Sequence, residues 1–437
     1  MNLALHTRPA TLRALLAIAI LLAPSVHVLG AGAQAPADFN ADDARADAVS
    51  GALDLRTELG YQARAFAARG VSTRDRWQQG LRLAVLVDGA SADARWQWHA
   101  DLRARVDDMD DRRSGADVRE AYVRWVGDDA EVALGARRVF WGVTEFAHLV
   151  DVLNQVDLVE NIDEEERLGQ PMLQVELPRG AWNLQAYVLP LLRERTFPGR
   201  DGRQHGGVTP HDDAVHAPSL RGQPLSFAAR AEWHGDGLDV GLAHFSGAGR
   251  EPSFALSGIG RPRPVYEHVE QTSLDVSWLT GDIAWKLEAY RRSGQGAPHV
   301  AAAAGLERTW VGLFGRGDLG LVLEYLHDER DKRAPPGRFE HDVAVGLRYA
   351  ANDSADTTLL LGLVQDVHSD ERTLSLEATS RLAPGLALAV EARVFGGNVG
   401  GNAHGDGSSL NALIDPDNKT GFLDRDDYVQ LELTTYF

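Results

Sequence analysis

The sequence predicts an all-β fold: a transmembrane antiparallel β-barrel of about 18 strands, with 16 as the alternative count. Three observations predict it. Apolar and polar residues alternate strictly along segment after segment. The linkers between those segments alternate between short and long. No stretch after residue 34 approaches the ~18 consecutive apolar residues of a membrane-spanning helix.

The alternation begins at Leu53. Leu53, Leu55, Thr57, Leu59, Tyr61, Ala63 and Ala65 hold one parity, while Asp54, Arg56, Glu58, Gln62 and Arg64 hold the other. Period 2 over such a length is a strand with one apolar and one polar face, longer than most globular strands. The same pattern returns in Trp96/Trp98/Ala100/Leu102, in Phe227/Ala229/Ala231/Trp233, in Leu319/Leu321/Leu323/Tyr325 and in Leu386/Leu388/Val390/Ala392.

The connections test the idea independently. Short turns are expected at 89–93, 127–129, 178–180, 234–237, 280–282, 315–318, 351–356 and 382–385. Long loops fall between them, at 66–80, 107–117, 141–170, 190–224, 248–268, 292–305, 328–340 and 397–426; only 368–371 is short where a long loop is allowed. Short turns on one side and long loops on the other fit a barrel in an outer membrane, and a soluble sandwich does not predict them.

The first 33 residues read as a secretory signal. Arg8 and Arg13 precede an uncharged apolar run at 14–23, Pro24 breaks it, and Ala31-Gly32-Ala33 supplies the small-x-small pattern for cleavage after Ala33. Residues 34–50 are small and acidic, a flexible lead-in, and the barrel takes 51–437. The expected destination is the bacterial outer membrane.

Composition removes other functions. The formal charge is −19, which argues against a sequence-independent nucleic-acid binder, and no cysteine is present, so thiolate metal sites and disulfides are excluded. Of the 44 basic residues only Lys286, Lys332 and Lys419 are lysines.

The C-terminal residues Val429, Leu431, Leu433, Thr435 and Phe437 share one parity and end on an aromatic. Here the chain resembles bacterial outer-membrane β-barrel proteins. The resemblance implies that Phe437 is an assembly signal for the barrel-assembly machinery, and that the outer face meets outer-membrane lipid.

If the apolar parity faces lipid, the other lines the pore. Candidate pore-lining residues are Arg56, Arg64, Arg103, Arg105, Arg124, Arg137, Glu58, Glu120 and Glu131. Two readings stay open: a positive stripe that selects anions, or Arg–carboxylate pairs that only satisfy lumenal charge.

The third long linker carries Phe146, Leu149, Val150 and Leu153 at i, i+3, i+4 and i+7 after Thr144, which predicts a short amphipathic helix with Thr144 as N-cap. Acidic residues follow at Asp157, Glu160 and 163–166. In position and length this loop resembles the inward-folding third loop of porins; a solvated external helix is the other reading. An Arg-rich strand leading into Trp141-Gly142, then Asp151, Asn154 and Asp157, also resembles alginate-export and related outer-membrane channels. That resemblance marks Trp141, Asp151, Asn154 and Asp157 as constriction-loop residues and implies an anionic polymer or organic acid as cargo.

Other motifs fail on context. Gly315, Gly317 and Gly320 match a dinucleotide fingerprint but lie between two alternating strands. His205, His211, Asp212, Asp213 and His216 are spread over a glycine-rich loop, and 415–421 departs from the calcium-loop pattern at Lys419 and Gly421. His99 and Ser277 are of catalytic type, but nothing gathers them. The expectation is no enzyme, no metal and no cofactor. The functional reading is a porin-like channel for small polar or anionic solutes. The alternatives are an export subunit for an anionic polymer or lipid-linked product, with a periplasmic partner, and a non-conducting structural or adhesion barrel. A homo-oligomer is left open.

Overall fold

In the computed structural model, the described residues are 53–73, 75–205, 208–220, 222, 224–255, 261–397, 419–420 and 423–437. The expected signal, the lead-in at 34–50 and most of the 415–421 motif lie outside them.

Eighteen strands form one sheet. They are β1 Leu53–Phe66, β2 Trp77–Ala90, β3 Trp96–Asp107, β4 Gly115–Val126, β5 Glu131–Arg137 and β6 Gln170–Arg179. Next come β7 Trp182–Leu189, β8 Ser226–His234, β9 Leu238–Ala248, β10 His268–Thr280, β11 Ile283–Ser293 and β12 His299–Phe314. The last are β13 Gly317–Asp328, β14 His341–Ala350, β15 Thr358–Asp366, β16 Arg372–Ala383, β17 Leu386–Gly396 and β18 Tyr428–Tyr436. Each pairs antiparallel with its chain neighbours, and β1 pairs with β18 from Glu58–Tyr436 to Phe66–Tyr428, which closes the barrel. Phe437 extends the seam: its N–H donates to Thr57 O at 2.9 Å, and Thr57 N–H donates to Phe437 O at 3.2 Å.

The expected turns are present, and Gly315 sits in the β12–β13 turn with φ +75°, a conformation glycine adopts freely. The connection expected at 292–305 is in fact only 294–298, because both flanking strands run further than the pattern suggested.

Parity assigns the faces. Leu55, Leu134, Leu242 and Leu363 are exposed on the outside, while Arg64, Gln271, Glu288 and Glu324 are buried inside. Tryptophans mark the turn end of the outer face. Trp96 stands opposite Trp125, Trp182 opposite Trp233, and Trp278 opposite Trp285. Glycines leave room for the indoles: a Cβ at Gly89 would lie 2.1 Å from Trp98, at Gly127 2.4 Å from Trp125, and at Gly235 2.0 Å from Trp233. Such a girdle fixes the depth of the barrel, because indole prefers the interface between lipid and water.

One strand breaks parity. Apolar residues of β4 are even at Ala116 and Val118 but odd at Ala121, Val123 and Trp125. The register shifts there, between Asp101 and Leu102 of β3. The extra residue of this bulge sends both Arg119 and Glu120 inward, where both are buried.

The loop helix expected after Thr144 does not form. Residues 144–154 form bends and turns, and 3-10 turns are found elsewhere, at Asp111–Arg113 and Pro218–Leu220. The apolar residues read as one stripe serve two walls instead. Val150 and Leu153 pack with Trp141, Tyr187 and Phe245, whereas Phe146 and Leu149 pack with Ala303 and Leu326. A straight helix cannot point one face at both.

An outward charge must therefore cost more at mid-membrane than at the girdle. Leu242→Arg should lose about 2–4 kcal/mol in reversible unfolding from vesicles, and Leu238→Arg, outward beside the turn and opposite Trp278, about 0–1 kcal/mol.

Candidate functional site

The segment 138–169, between β5 and β6, runs from its own strands to the far wall. Asn154 ties its base. The amide accepts from Val139 N–H at 2.9 Å and donates to Arg137 O at 2.7 Å and Leu168 O at 2.9 Å, so both ends of the segment meet on one buried side chain. Gln155 and Val156 then pair with Leu168 and Arg167 in a two-residue ladder. Asp151, fully buried, lies 3.0 Å from the Arg167 guanidinium. Trp141 is buried edge-on to Tyr187, with Arg230 5.2 Å above its ring.

Wall carboxylates hold the middle. Glu288 of β11 accepts from Val143 N–H at 2.6 Å, Thr144 N–H at 2.9 Å, Thr144 Oγ1 at 2.8 Å and Val150 N–H at 3.1 Å. Glu324 of β13 accepts from Glu145 N–H at 2.7 Å and Phe146 N–H at 3.0 Å. These charge-assisted bonds satisfy the donors that a helix would have satisfied internally. Phe146 then lies on the paired glycines of β14 and β15: a Cβ would approach its ring to 3.1 Å from Gly346 and 2.9 Å from Gly362.

The acidic part crosses back. Asp157 accepts from Arg119 Nη2 at 2.6 Å and from Thr196 Oγ1 at 2.6 Å. Glu160 meets Arg105 at 2.6 Å and Arg113 at 3.9 Å, and Glu166 meets Arg103 at 3.6 Å. Burial alone would raise the Glu160 carboxyl, but Arg105, Arg113, Arg119 and Arg82 hold it far below the usual carboxylate range. On the other side Asp163 pairs with Arg393 at 2.8 Å and Asn161 donates to Glu391 at 2.9 Å. Residues 157–166 thus bridge from β3–β4 to β17.

The remaining inward residues form pairs along the wall. Arg56 bonds Asp88 at 2.8 Å, Glu58 lies 3.8 Å from Arg82, and Arg124 pairs with Glu131. Arg64 donates to Gln430 at 2.8 Å and Gln204 at 3.2 Å, with its guanidinium 4.4 Å over Tyr428. Arg137 donates to Gln174 and stacks 4.5 Å over Tyr122. Glu120 holds Arg138 by its N–H at 2.9 Å and its guanidinium at 3.2 Å. Strict alternation missed Arg119, although the switch of apolar parity within β4 signals it. Alternation does turn Glu288 and Glu324 inward, as found, but their loop contacts leave no mark in the local pattern.

Groups not brought together are equally clear. His99 bonds Asp88 on β3's side of the barrel, whereas Ser277 sits on β10 opposite Lys286 and Asp239. His211 lies near Asp213, His216 near Glu194, and Asp212 pairs with Arg112; among the described residues no group of three ligands converges on a metal position.

No protein-family model and no curated protein matches this chain. Solved structures do. A BenF-like porin from Pseudomonas fluorescens Pf-5 is similar at TM-score 0.50 and 8% identity, covering 89% of this chain and 98% of its own. OccK10 (OpdN) of Pseudomonas aeruginosa is similar at TM-score 0.50 and 10% identity, covering 88% and 97%. At that identity the likeness is one of fold alone, the closed antiparallel barrel.

Glu288→Leu should release the segment, because each buried N–H left without an acceptor costs roughly 1–3 kcal/mol. Protease should then cut within 138–169 while the barrel still migrates as folded on a gel; Glu288→Gln, which keeps an acceptor oxygen, should be cut more slowly.

His148 gives the segment a pH dependence. Burial lowers its pKa, but the hydrogen bond and charge of Glu165, aided by Glu288 and Asp151, more than offset this and hold it near 9. A histidine raised on folding stabilises fully below its unfolded value of about 6.5 and loses that contribution as pH rises through the folded value. A nitroxide on Glu164→Cys, unique in a cysteine-free chain, should gain mobility between pH 7 and pH 10, and His148→Gln should remove the step.

Proposed function

We propose that this protein is an outer-membrane channel for small polar solutes with a preference for anions. The observation that carries the reading is the inward arginine wall of Arg64, Arg82, Arg103, Arg105, Arg113 and Arg119, facing the segment that crosses the lumen. Its carboxylate partners neutralise much of it, yet Arg105 Nη1 is buried with no hydrogen-bond partner. A solute carrying a carboxylate or phosphate meets donors already held in place, and the lumenal charge sets which ions pass. In this role Trp141, Asp151, Asn154 and Asp157 set the shape of the constriction, and 157–166 supplies the opposing charge. An organic acid fits as cargo better than a long polymer, because the segment divides the passage. Phe437, exposed at the seam, is the residue we assign to recognition by the assembly machinery. Cleavage after Ala33 would accompany export.

Single-channel recording in a planar bilayer under a salt gradient tests this. Steady steps with a reversal potential favouring anions are expected. Glu160→Gln should move that potential further toward anions, and the double variant Arg103→Gln/Arg105→Gln should move it back toward cations. Cation preference in the unaltered protein, or silence from a folded barrel, would overturn the proposal.

A further inference from the structure

The outer face is not uniform around the rim. At the loop ends of β2, β4 and β8 it presents Trp77, Val118, Leu225 and Phe227, all exposed and apolar. Over β9–β16 the same level is rich in histidine, in two groups either side of the exposed Val300. His244 of β9 and His268 of β10 meet Glu270 at 3.1 and 2.9 Å, beside Ser246, Thr272 and the exposed Arg291. Farther round, His327 of β13 stands opposite His341 of β14, with their Nδ1 atoms 3.2 Å apart. The His368 ring centres 4.8 Å from His341, Tyr325 Oη lies 3.0 Å from His341 Nδ1, and Glu329 lies 3.3 Å from His327 Nε2.

The strand histidines share the parity of Leu242, Leu323 and Val343, so they point at lipid rather than into the lumen, and His368 is exposed in the β15–β16 connection beside them. They also lie opposite the tryptophan girdle, at the end where the apolar band gives way to the long loops. Imidazoles at that depth meet head groups, and nothing else in a barrel's surroundings there is concentrated in negative charge.

We propose that this arc of the rim binds the phosphate groups of an outer-leaflet glycolipid. The surface offers two seats, one at His244/His268/Arg291 and one at His327/His341/His368. Their facing histidines, His268 of β10 and His327 of β13, are three strand spacings apart, about 14 Å, which suits a rigid head group carrying two phosphates. The contact between His327 and His341 points the same way. Nδ1 atoms 3.2 Å apart bring two imidazoles to one place on the outer face. Glu270 and Glu329 each lie beside histidines, so a phosphate either displaces them or shares the imidazoles with them. The proposal rests on the outer-membrane placement with loops outward, and not on conduction.

The test is native mass spectrometry of the purified full barrel in detergent, titrated with diphosphoryl lipid A, monophosphoryl lipid A and phosphatidylcholine. The diphosphoryl lipid should bind most tightly. The variant His268→Gln/His327→Gln should weaken it about tenfold, the scale of one charge-assisted contact. His234→Gln, at the turn end, should leave it unchanged. Equal retention of the three lipids, or equal binding by the double variant, would overturn the proposal. So would a double variant that alters only the oligomeric state, since the arc would then be an interface between copies. Each of these reads lipid, so a failed conductance experiment leaves the result intact.

Discussion

The β1–β18 seam is the constraint on which the rest depends. An open sheet in hydrocarbon would expose two ladders of backbone N–H and C=O groups, each unsatisfied group costing several kcal/mol. Closure removes both edges, and the last residue takes part, since Phe437 exchanges two backbone bonds with Thr57. Once the cylinder is shut, alternate residues have no choice of environment. Apolar side chains go to lipid, and at mid-membrane the arginines and carboxylates of the strands go to the interior.

That interior then has charge to dispose of, and the loop between β5 and β6 takes it up. Glu288 and Glu324 would otherwise be buried carboxylates with no counter-charge of their own. By accepting backbone N–H groups they hold an irregular segment as firmly as a helix would hold itself. The arginines of β3 and β4 are met in turn by Asp157, Glu160 and Glu166. The constriction and the neutralisation of the wall are one structure, so a change of charge on either side also changes the shape of the passage.

Much of this was legible in the chain because period 2 has a single physical cause. Leu53 to Ala65 announce a strand with a lipid face without reference to any partner, and the turn spacing fixes which end is which. Arg56, Arg64, Arg103 and Arg105 follow from parity alone. The loop was less legible because its residues answer to distant ones. Phe146, Leu149, Val150 and Leu153 are spaced as a helix is, yet the donors around them go to Glu288 and Glu324, 138 to 179 residues away. Local periodicity carries no trace of such contacts. Arg119 lies between these cases: its bulge is written in the parity switch of β4, but only the register makes it an inward residue.

Phe146 on Gly346 and Gly362 has a consequence for synthesis. The ring's socket belongs to β14 and β15, which leave the ribosome about two hundred residues after the ring itself. Throughout export the segment has its own base, at Asn154, and no roof. It can lodge only when the later strands have curled round to meet it, so a docked loop certifies that the cylinder around it has been completed.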